Sequence, residues 1–341
     1  MNPLKFVAAG AMVAAAFASG AARAQSTELN VSTWVPPTHF LVRDFMQGWA
    51  KDVEKATNNR VKFRFLPKMV TNPIGHFDAV KDGLADVTFI SHSYTPARFV
   101  LTRFAVLPFG GNDAEISSVA VWRTYDKYLA KAKEHDGTVL LTIYNHGPGI
   151  VYNSKRPINS LADLAGMKIR VGGGMAADVA AAIGVTAVMR PAPESYELMS
   201  TGVVDGVFFP AESPASFKLE KFIKYATEFP GGLYSDSHAV IMNPAAFNKL
   251  SKDDQAILMK LSGDSMARRA GKAWNAAGEV GYKVLRDAKV QIAKANPKLV
   301  KEVREKTEKF ESEWIADVNA RGIDGEAVLK AFREELKRAG K

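Results

Sequence analysis

Gly83-Leu84-Ala85-Asp86-Val87-Thr88-Phe89 and Gly202-Val203-Val204-Asp205-Gly206-Val207-Phe208 share one frame: Gly, then Asp three residues on, then Phe three beyond that. Each is followed by a Pro-Ala pair, in Thr95-Pro96-Ala97-Arg98-Phe99 and in Ser213-Pro214-Ala215-Ser216-Phe217. The spacing reads as one supersecondary unit used twice. A helix closes at the Gly, a strand runs through the Phe, and after a short loop Thr95 or Ser213 caps a new helix with Pro in its first turn. Two such units predict two similar lobes. Ligands of open α/β sheets bind beyond the carboxyl ends of strands, so the loops Ile90 to Tyr94 and Phe209 to Glu212 are expected to line one shared cleft.

Strands alternate with helices on either side of the first copy. Leu29 to Thr33 reads as a strand, Thr38 as the cap of a helix carrying Phe45, Trp49 and Val53, and Val61, Phe63 and Phe65 as a second strand. This βαβ opening calls for parallel pairing. A helix near Ser117 to Glu134 and a strand Thr138 to Tyr144 follow, and His146-Gly147-Pro148-Gly149 then breaks the pattern where the chain is expected to change lobes. Beyond it lie a strand Ile150 to Asn153, a short helix Leu161 to Leu164 capped by Asn159 or Ser160, and a strand Met167 to Val171. After the second copy, Ala239 to Met242 reads as a strand, and Asn243-Pro244 caps a short helix returning the chain to the first lobe. From the Ser251 cap no proline intervenes until Pro297. A helix from Lys252 to about Ala288 would be roughly 55 Å long and would strut both lobes, with Gly263, Gly271, Gly278 and Gly281 as places to kink or divide it. The expected fold is α/β, with mixed sheets flanked by helices in two lobes. The first lobe is assigned 25–147 and about 239–270, the second about 148–238 and about 271–341.

The N-terminus predicts export. Lys5 precedes the apolar run Phe6 to Ala21, and Ala22-Arg23-Ala24 supplies small residues for cleavage, so 1–24 reads as a signal peptide. Its removal leaves 317 residues and lowers the formal charge from +9 to +7. With no cysteine, disulfides and thiolate chemistry are excluded, and 47% hydrophobic residues allow stability to come from burial. The basic charge is scattered among acids, as in Lys301 to Glu313, which argues for a solvated surface and against nucleic acid as a partner.

Chemistry-bearing patterns are sparse. Gly172, Gly174 and Ala177, with Glu194 further on, match a dinucleotide fingerprint loosely, but mid-chain, and read better as a permissive turn. The six histidines lack metal-ligand spacing, and no Gly-x-Ser-x-Gly elbow exists, so no cofactor or metal is expected. His39, His92 and His146 follow strands and are candidates to face the cleft. Arg170 is the singular residue: an arginine in the largely apolar strand Met167-Lys168-Ile169-Arg170-Val171 needs a partner. That partner is either a ligand carboxylate or an internal acid such as Glu194 or Asp205.

Several segments together resemble a known family. They are Ser32-Thr33-Trp34-Val35-Pro36-Pro37-Thr38-His39, the block Asp82 to Phe99, Ile158 to Arg170, Glu194 to Pro210 with its Gly202-Val203-Val204-Asp205-Gly206 turn, and Met242-Asn243-Pro244 to Gln255. The chain is similar, over nearly all its mature length, to the extracytoplasmic solute receptors of tripartite ATP-independent periplasmic (TRAP) transporters. The resemblance implies a monomeric two-lobe periplasmic receptor, not an enzyme, that closes on an organic acid and delivers it to the transporter's membrane subunits. The family's carboxylate-binding arginine falls on Arg170, and its hinge-spanning helix on the segment after Ser251. Sialic acid receptors carry a second arginine where this chain has Gly149, Ile150 and Val151, and an asparagine at Phe209. These departures, with Trp34, Tyr94 and Tyr234, favour an aromatic or 2-oxo monocarboxylate over a C4-dicarboxylate or sugar acid. The candidate ligand-binding residues are Arg170, Trp34, Ser91, His92, Tyr94, His146, Phe209, Tyr234 and Asp236. Phe208, pointing to the opposite face from Phe209, is expected in the core.

Overall fold

The computed structural model describes residues 26–340, so the signal peptide reading lies outside the described residues. The chain opens β1 (Thr27–Val31), α1 (Gln47–Ala56), β2 (Val61–Phe65), α2 (His76–Lys81), β3 (Val87–Ser91), α3 (Ala114–Thr124) and β4 (Val139–Asn145). It continues β5 (Ile150–Asn153), β6 (Lys168–Val171), α4 (Gly174–Ala182), β7 (Thr186–Met189), α5 (Ser195–Ser200), β8 (Gly206–Phe209), α6 (Ser213–Ser216) and β9 (Tyr225–Glu228). The last part holds β10 (Ser237–Met242), α7 (Pro244–Lys249), α8 (Lys252–Lys260), α9 (Gly263–Asp287), β11 (Gln291–Lys294), α10 (Pro297–Thr307), α11 (Lys309–Asn319) and α12 (Gly325–Ala339). Two sheets result, ordered β2-β1-β3-β10-β4 and β11-β9-β5-β8-β6-β7. In the first, β1 pairs parallel with β2 and β3 while β10 runs antiparallel to β3 and β4. In the second, β6 is parallel to β7 and β8, β9 to β11, and β5 is antiparallel to β8 and β9.

The duplicated motif carries one hydrogen-bond arrangement in both sheets. Asp86 Oδ2 accepts the Asn30 N–H at 2.7 Å and Asp205 Oδ2 accepts the Lys168 N–H at 2.9 Å. Each aspartate also donates its own N–H to the carbonyl of that same residue, at 2.9 and 2.7 Å. The side chain thus clamps the incoming strand to the neighbour it joins. Gly83 and Gly202 lead into it with φ of +81° and +70°, the left-handed helix end that glycine adopts without strain. The copies diverge afterwards. Ser213–Ser216 is a single helical turn whose leading residue is Glu212, and Thr95–Arg98 is only a turn. No helix forms there because the next residue, Phe99, is buried against Phe77 and His92 and draws the chain straight.

Elsewhere the departures have local causes. The helix expected from Thr38 begins at Leu41 as a wide π-type turn, because Pro36–His39 closes a turn of its own and His39 Nδ1 takes the Leu41 N–H at 3.3 Å. α1 then packs Trp49 on Phe63 of β2, ring centroids 4.9 Å apart. α3 starts earlier than expected, at Ala114 behind its Asp113 cap, and frays into looser turns after Thr124. The single rod expected from Lys252 is two helices, broken at Gly263 with φ +58°. β7, β9 and β11 had no clear sequence signature; each spans four residues, and β7 and β11 are largely exposed.

The chain crosses between sheets after β4, between β9 and β10, and along α9. That 25-residue helix grips both sides. Asn275 Oδ1 accepts the Ala114 N–H at 3.0 Å and Arg268 meets Glu115 at 2.7 Å on the first side, while the Tyr282 hydroxyl donates to Glu228 at 2.6 Å on the second. The C-terminal helices are shared as well. α12 packs on α3, and Trp314 of α11 donates Nε1–H to the Val100 and Leu101 carbonyls at 3.1 and 3.2 Å, so assigning 271–341 wholly to the second lobe does not describe these contacts.

The α9 glycines do not kink the helix; two of them permit close approach. A Cβ on Gly271 would overlap the Glu115 backbone, and one on Gly281 the Ala211 carbonyl oxygen, whereas at Gly278 the nearest atom, Ala211 Cβ, is 3.8 Å away. Gly271→Ala and Gly281→Ala are therefore expected to destabilise by about 1–3 kcal/mol. Gly278→Ala should be neutral or stabilising by up to about 1 kcal/mol, as in an open helix interior. Urea unfolding of the three variants checks this; equal effects would refute the strut contacts.

Candidate ligand-binding cleft

The two copies of the motif end on opposite walls of one cavity of about 70 Å³. From the first sheet come Trp34, His39 and the turn His92-Ser93-Tyr94; from the second come Arg170, Gly172 to Met175, Phe209, Glu212 and Phe217. The β9–β10 crossing adds Tyr234 to His238, the β4–β5 crossing adds His146, and α9 adds Trp274. Of the residues expected from sequence, Arg170, Trp34, His92, Tyr94, His146, Phe209, Tyr234 and Asp236 all line this cavity, and so does His39. Ser91 does not. As the last residue of β3 it sits behind the wall, opposite His238 on β10, and its hydroxyl donates to Asp236 Oδ2 at 2.6 Å. Phe208 is in the core, stacked on Tyr234.

Arg170 is 2% exposed. Its place on β6 between β7 and β8 comes from the apolar residues around it, Ile169 and Val171, both fully buried. Nε donates to the Arg190 carbonyl at 2.8 Å and the guanidinium carbon lies 4.3 Å over the Phe209 ring. The internal acids weighed from sequence are engaged elsewhere: Glu194 with Arg190 at 3.5 Å, Asp205 with Lys155 at 3.2 Å. Among the described residues no carboxylate forms an ion pair with Arg170. Burial pulls its pKa down, but a guanidinium starts so high that it stays charged.

Tyr94 reaches across the cleft beside that guanidinium, and its hydroxyl accepts the Ala192 N–H at 2.9 Å. The glycine turn explains how the walls come this close. Gly173 and Gly174 have φ of +121° and +51°, and a Cβ on Gly173 would lie 2.5 Å from the Ser93 carbonyl oxygen. The loose fingerprint is therefore a contact surface between the two sides, with the partly positive start of α4 behind it. Tyr234 fills the space beside Gly149, where any Cβ would overlap its ring.

Burial lowers the histidine pKa values, to about 4 for His39 and His146 and about 3 for His238, with His92 also well below its usual value. All four are neutral at neutral pH, and His92 is held by Ser237 at 2.8 Å and His135 at 2.9 Å. Arg103, also on the wall, is paired with Asp178 at 2.7 Å. Among the described residues Arg170 is thus the wall cation without an ion-pair partner, and Asp236 of the same cavity acts on it only at longer range. Sequence reasoning missed His238, Trp274 and Phe217, whereas Glu212 falls in the loop expected to line the cleft. Trp274 sits on the strut helix and His238 inside a strand, and neither position carries a local signal of facing a cleft.

Glu212 is 2% exposed and takes the hydroxyls of Ser213 and of Ser216, the latter at 2.5 Å. Burial outweighs these donors and pushes its pKa up to about 7. An unfolded glutamate titrates near ~4.3, so between there and about 7 the native state holds a proton that the unfolded chain has lost. Stability from this group therefore falls as pH rises through that window, by about 1.4 kcal/mol per unit of difference. Glu212→Gln is expected to raise the melting temperature at pH 8 and to bring much less benefit at pH 4, where both states are protonated; equal gains at both pH values would contradict the assignment.

Comparison with known proteins agrees with this architecture. The family model for bacterial extracellular solute-binding protein, family 7, matches residues 31–317. A TRAP periplasmic solute-binding protein from Bordetella bronchiseptica, solved with (R)-mandelate and (S)-mandelate, superposes with a TM-score of 0.90 at 56% identity, covering 91% of this chain and 99% of that one. One from Rhodoferax ferrireducens, with copurified benzoate, has a TM-score of 0.86 at 26% identity over 92% and 99% of the two chains. One from a marine metagenome, with 3-hydroxybenzoate, has a TM-score of 0.86 at 28% identity over 93% and 100%. The matched segment takes in both sheets except most of β1, the cavity between them and the strut helix, and the chain belongs to the family 7 extracellular solute-binding proteins, the organic acid receptors of TRAP transporters.

Proposed function

We propose that this protein is the periplasmic receptor for a small aromatic monocarboxylate, whose carboxylate is held by Arg170. The observation that carries the reading is a buried guanidinium without an acid partner, stacked on Phe209 in a cavity walled by Trp34, Tyr94, Phe217 and Tyr234. A carboxylate leaving water must recover its hydration, and an arginine fork can return two charge-assisted bonds. The aromatic body then meets the apolar walls. A second carboxylate would find Arg103 already paired, which argues against dicarboxylates. The three solved relatives with mandelate, benzoate and 3-hydroxybenzoate support the same class.

Capture follows from differential affinity. Arg170 belongs to one lobe and Tyr94 to the other, so only the closed form offers a ligand both walls, and binding energy pulls the lobes together. One chain supplies the whole site and acts as a monomer. The leader at 1–24 exports it, and the loaded receptor passes its acid to the transporter's membrane subunits.

Titration calorimetry of Arg170→Ala with mandelate or benzoate is expected to show a loss of about 2–5 kcal/mol; unchanged affinity would remove Arg170 from the site. In a thermal-shift panel, aromatic monocarboxylates should raise the melting temperature. Stabilisation by dicarboxylates or sugar acids alone would reject the class. Gly173→Ala, which blocks the approach of Ser93, should weaken binding more than about tenfold with the fold intact by circular dichroism; undiminished affinity would show that this contact is not part of closure.

A further inference from the structure

The cavity has a second charged pole that the aromatic-carboxylate reading leaves unused. Asp236, at the start of the return strand, lines the cavity with its side chain 16% exposed. Ser91 and Ser93 direct their hydroxyls at Oδ2, at 2.6 and 2.8 Å, and His238 Nε2 is 3.9 Å from the same oxygen. Burial raises the Asp236 pKa, and the two hydroxyl donors oppose that shift by favouring the ionised form. A carboxylate offers about four lone-pair sites on its two oxygens, so acceptor capacity remains for a group inside the cavity. The histidines nearest it, His146 and His238, are neutral and do not cancel its charge.

We propose that Asp236 accepts a hydrogen bond from a hydroxyl group beside the ligand carboxylate, so that the receptor selects 2-hydroxy acids over the matching 2-oxo acids. The inference rests on Arg170 holding the carboxylate. An acid docked there brings a second anion towards Asp236. A 2-hydroxyl places a proton between the two acceptors and turns repulsion into a charge-assisted bond. A 2-oxo group instead sets oxygen lone pairs against oxygen lone pairs, and an unsubstituted methylene leaves Asp236 facing apolar atoms. A site built to receive a hydroxyl discriminates strongly against analogues lacking it. Asp236→Asn would weaken the preference, because the amide N–H can donate to an oxo group.

The test is competition binding by wild type and Asp236→Asn of three near-isosteric acids: 2-hydroxy-2-phenylacetate, phenylacetate and 2-oxo-2-phenylacetate. Wild type should bind the hydroxy acid at least about tenfold more tightly than phenylacetate, and the oxo acid most weakly. Asp236→Asn should lose that tenfold and bind the oxo acid better than wild type does. Equal binding of hydroxy acid and phenylacetate by wild type, or a tighter oxo acid, overturns the proposal whether or not the variant folds. So does an unaltered hydroxy-to-oxo ratio in a variant with native circular dichroism. If none of the phenyl acids binds, the aromatic reading fails by itself, and lactate, propionate and pyruvate pose the same question: lactate tightest supports Asp236 as the hydroxyl acceptor, and any other order overturns it.

Discussion

A guanidinium taken almost wholly out of water, with no acid in ion-pair contact among the described residues, sets the terms for the rest of this structure. The protein gives Arg170 a backbone carbonyl, the face of Phe209 and the neighbourhood of the Tyr94 hydroxyl, and stops short of a carboxylate. Such a charge is tolerable because it is hydrogen-bonded and delocalised, and it remains the natural home for a desolvated anion. The two acids within sequence reach are held elsewhere, Asp205 by its strand clamp and Lys155, Glu194 by Arg190. The clamp of the duplicated motif therefore has a second effect. By fixing Asp205 at the N-terminal ends of β6 and β8, it keeps that acid from neutralising the arginine.

The geometry of closure is written in backbone contacts. Ser93 of one wall meets Gly173 and Gly174 of the other, and α9 is pinned at Gly271 to α3 and at Gly281 to the loop before α6. A side chain at any of these places would wedge the walls apart, since backbone atoms cannot yield as a flexible side chain can. The helix that connects the lobes also contributes Trp274 to the cavity, so the strut and the site share one element.

The parts of the fold legible in sequence were those where local chemistry and tertiary need coincide. The Gly-Asp-Phe frame was readable because glycine relieves a left-handed turn, aspartate clamps a strand and alternation buries the phenylalanine. Arg170 stood out because a lone arginine in an apolar strand conflicts with burial. β7 and β11 were not readable, since short exposed strands carry no alternation. The helix expected at Thr95 had correct capping chemistry, but the burial of Phe99 overrode it. Ser91 and Ser93 illustrate the limit at a single residue: two serines two positions apart, both donating to Asp236, of which only Ser93 lines the cavity.

The amino-acid order by itself determined two α/β units, the crossing at His146 to Gly149 and a distinguished arginine, because these depend on turns, alternation and polarity read within a few residues. Tertiary structure alone decided that Arg170 lacks an acid, that His238 and Trp274 reach the cavity, that α9 is a separate helix gripping both sides and that the C-terminal helices return to α3. Each of those depends on distances between segments tens to hundreds of residues apart, and such distances are fixed only when the sheets, the strut and the crossings are packed together.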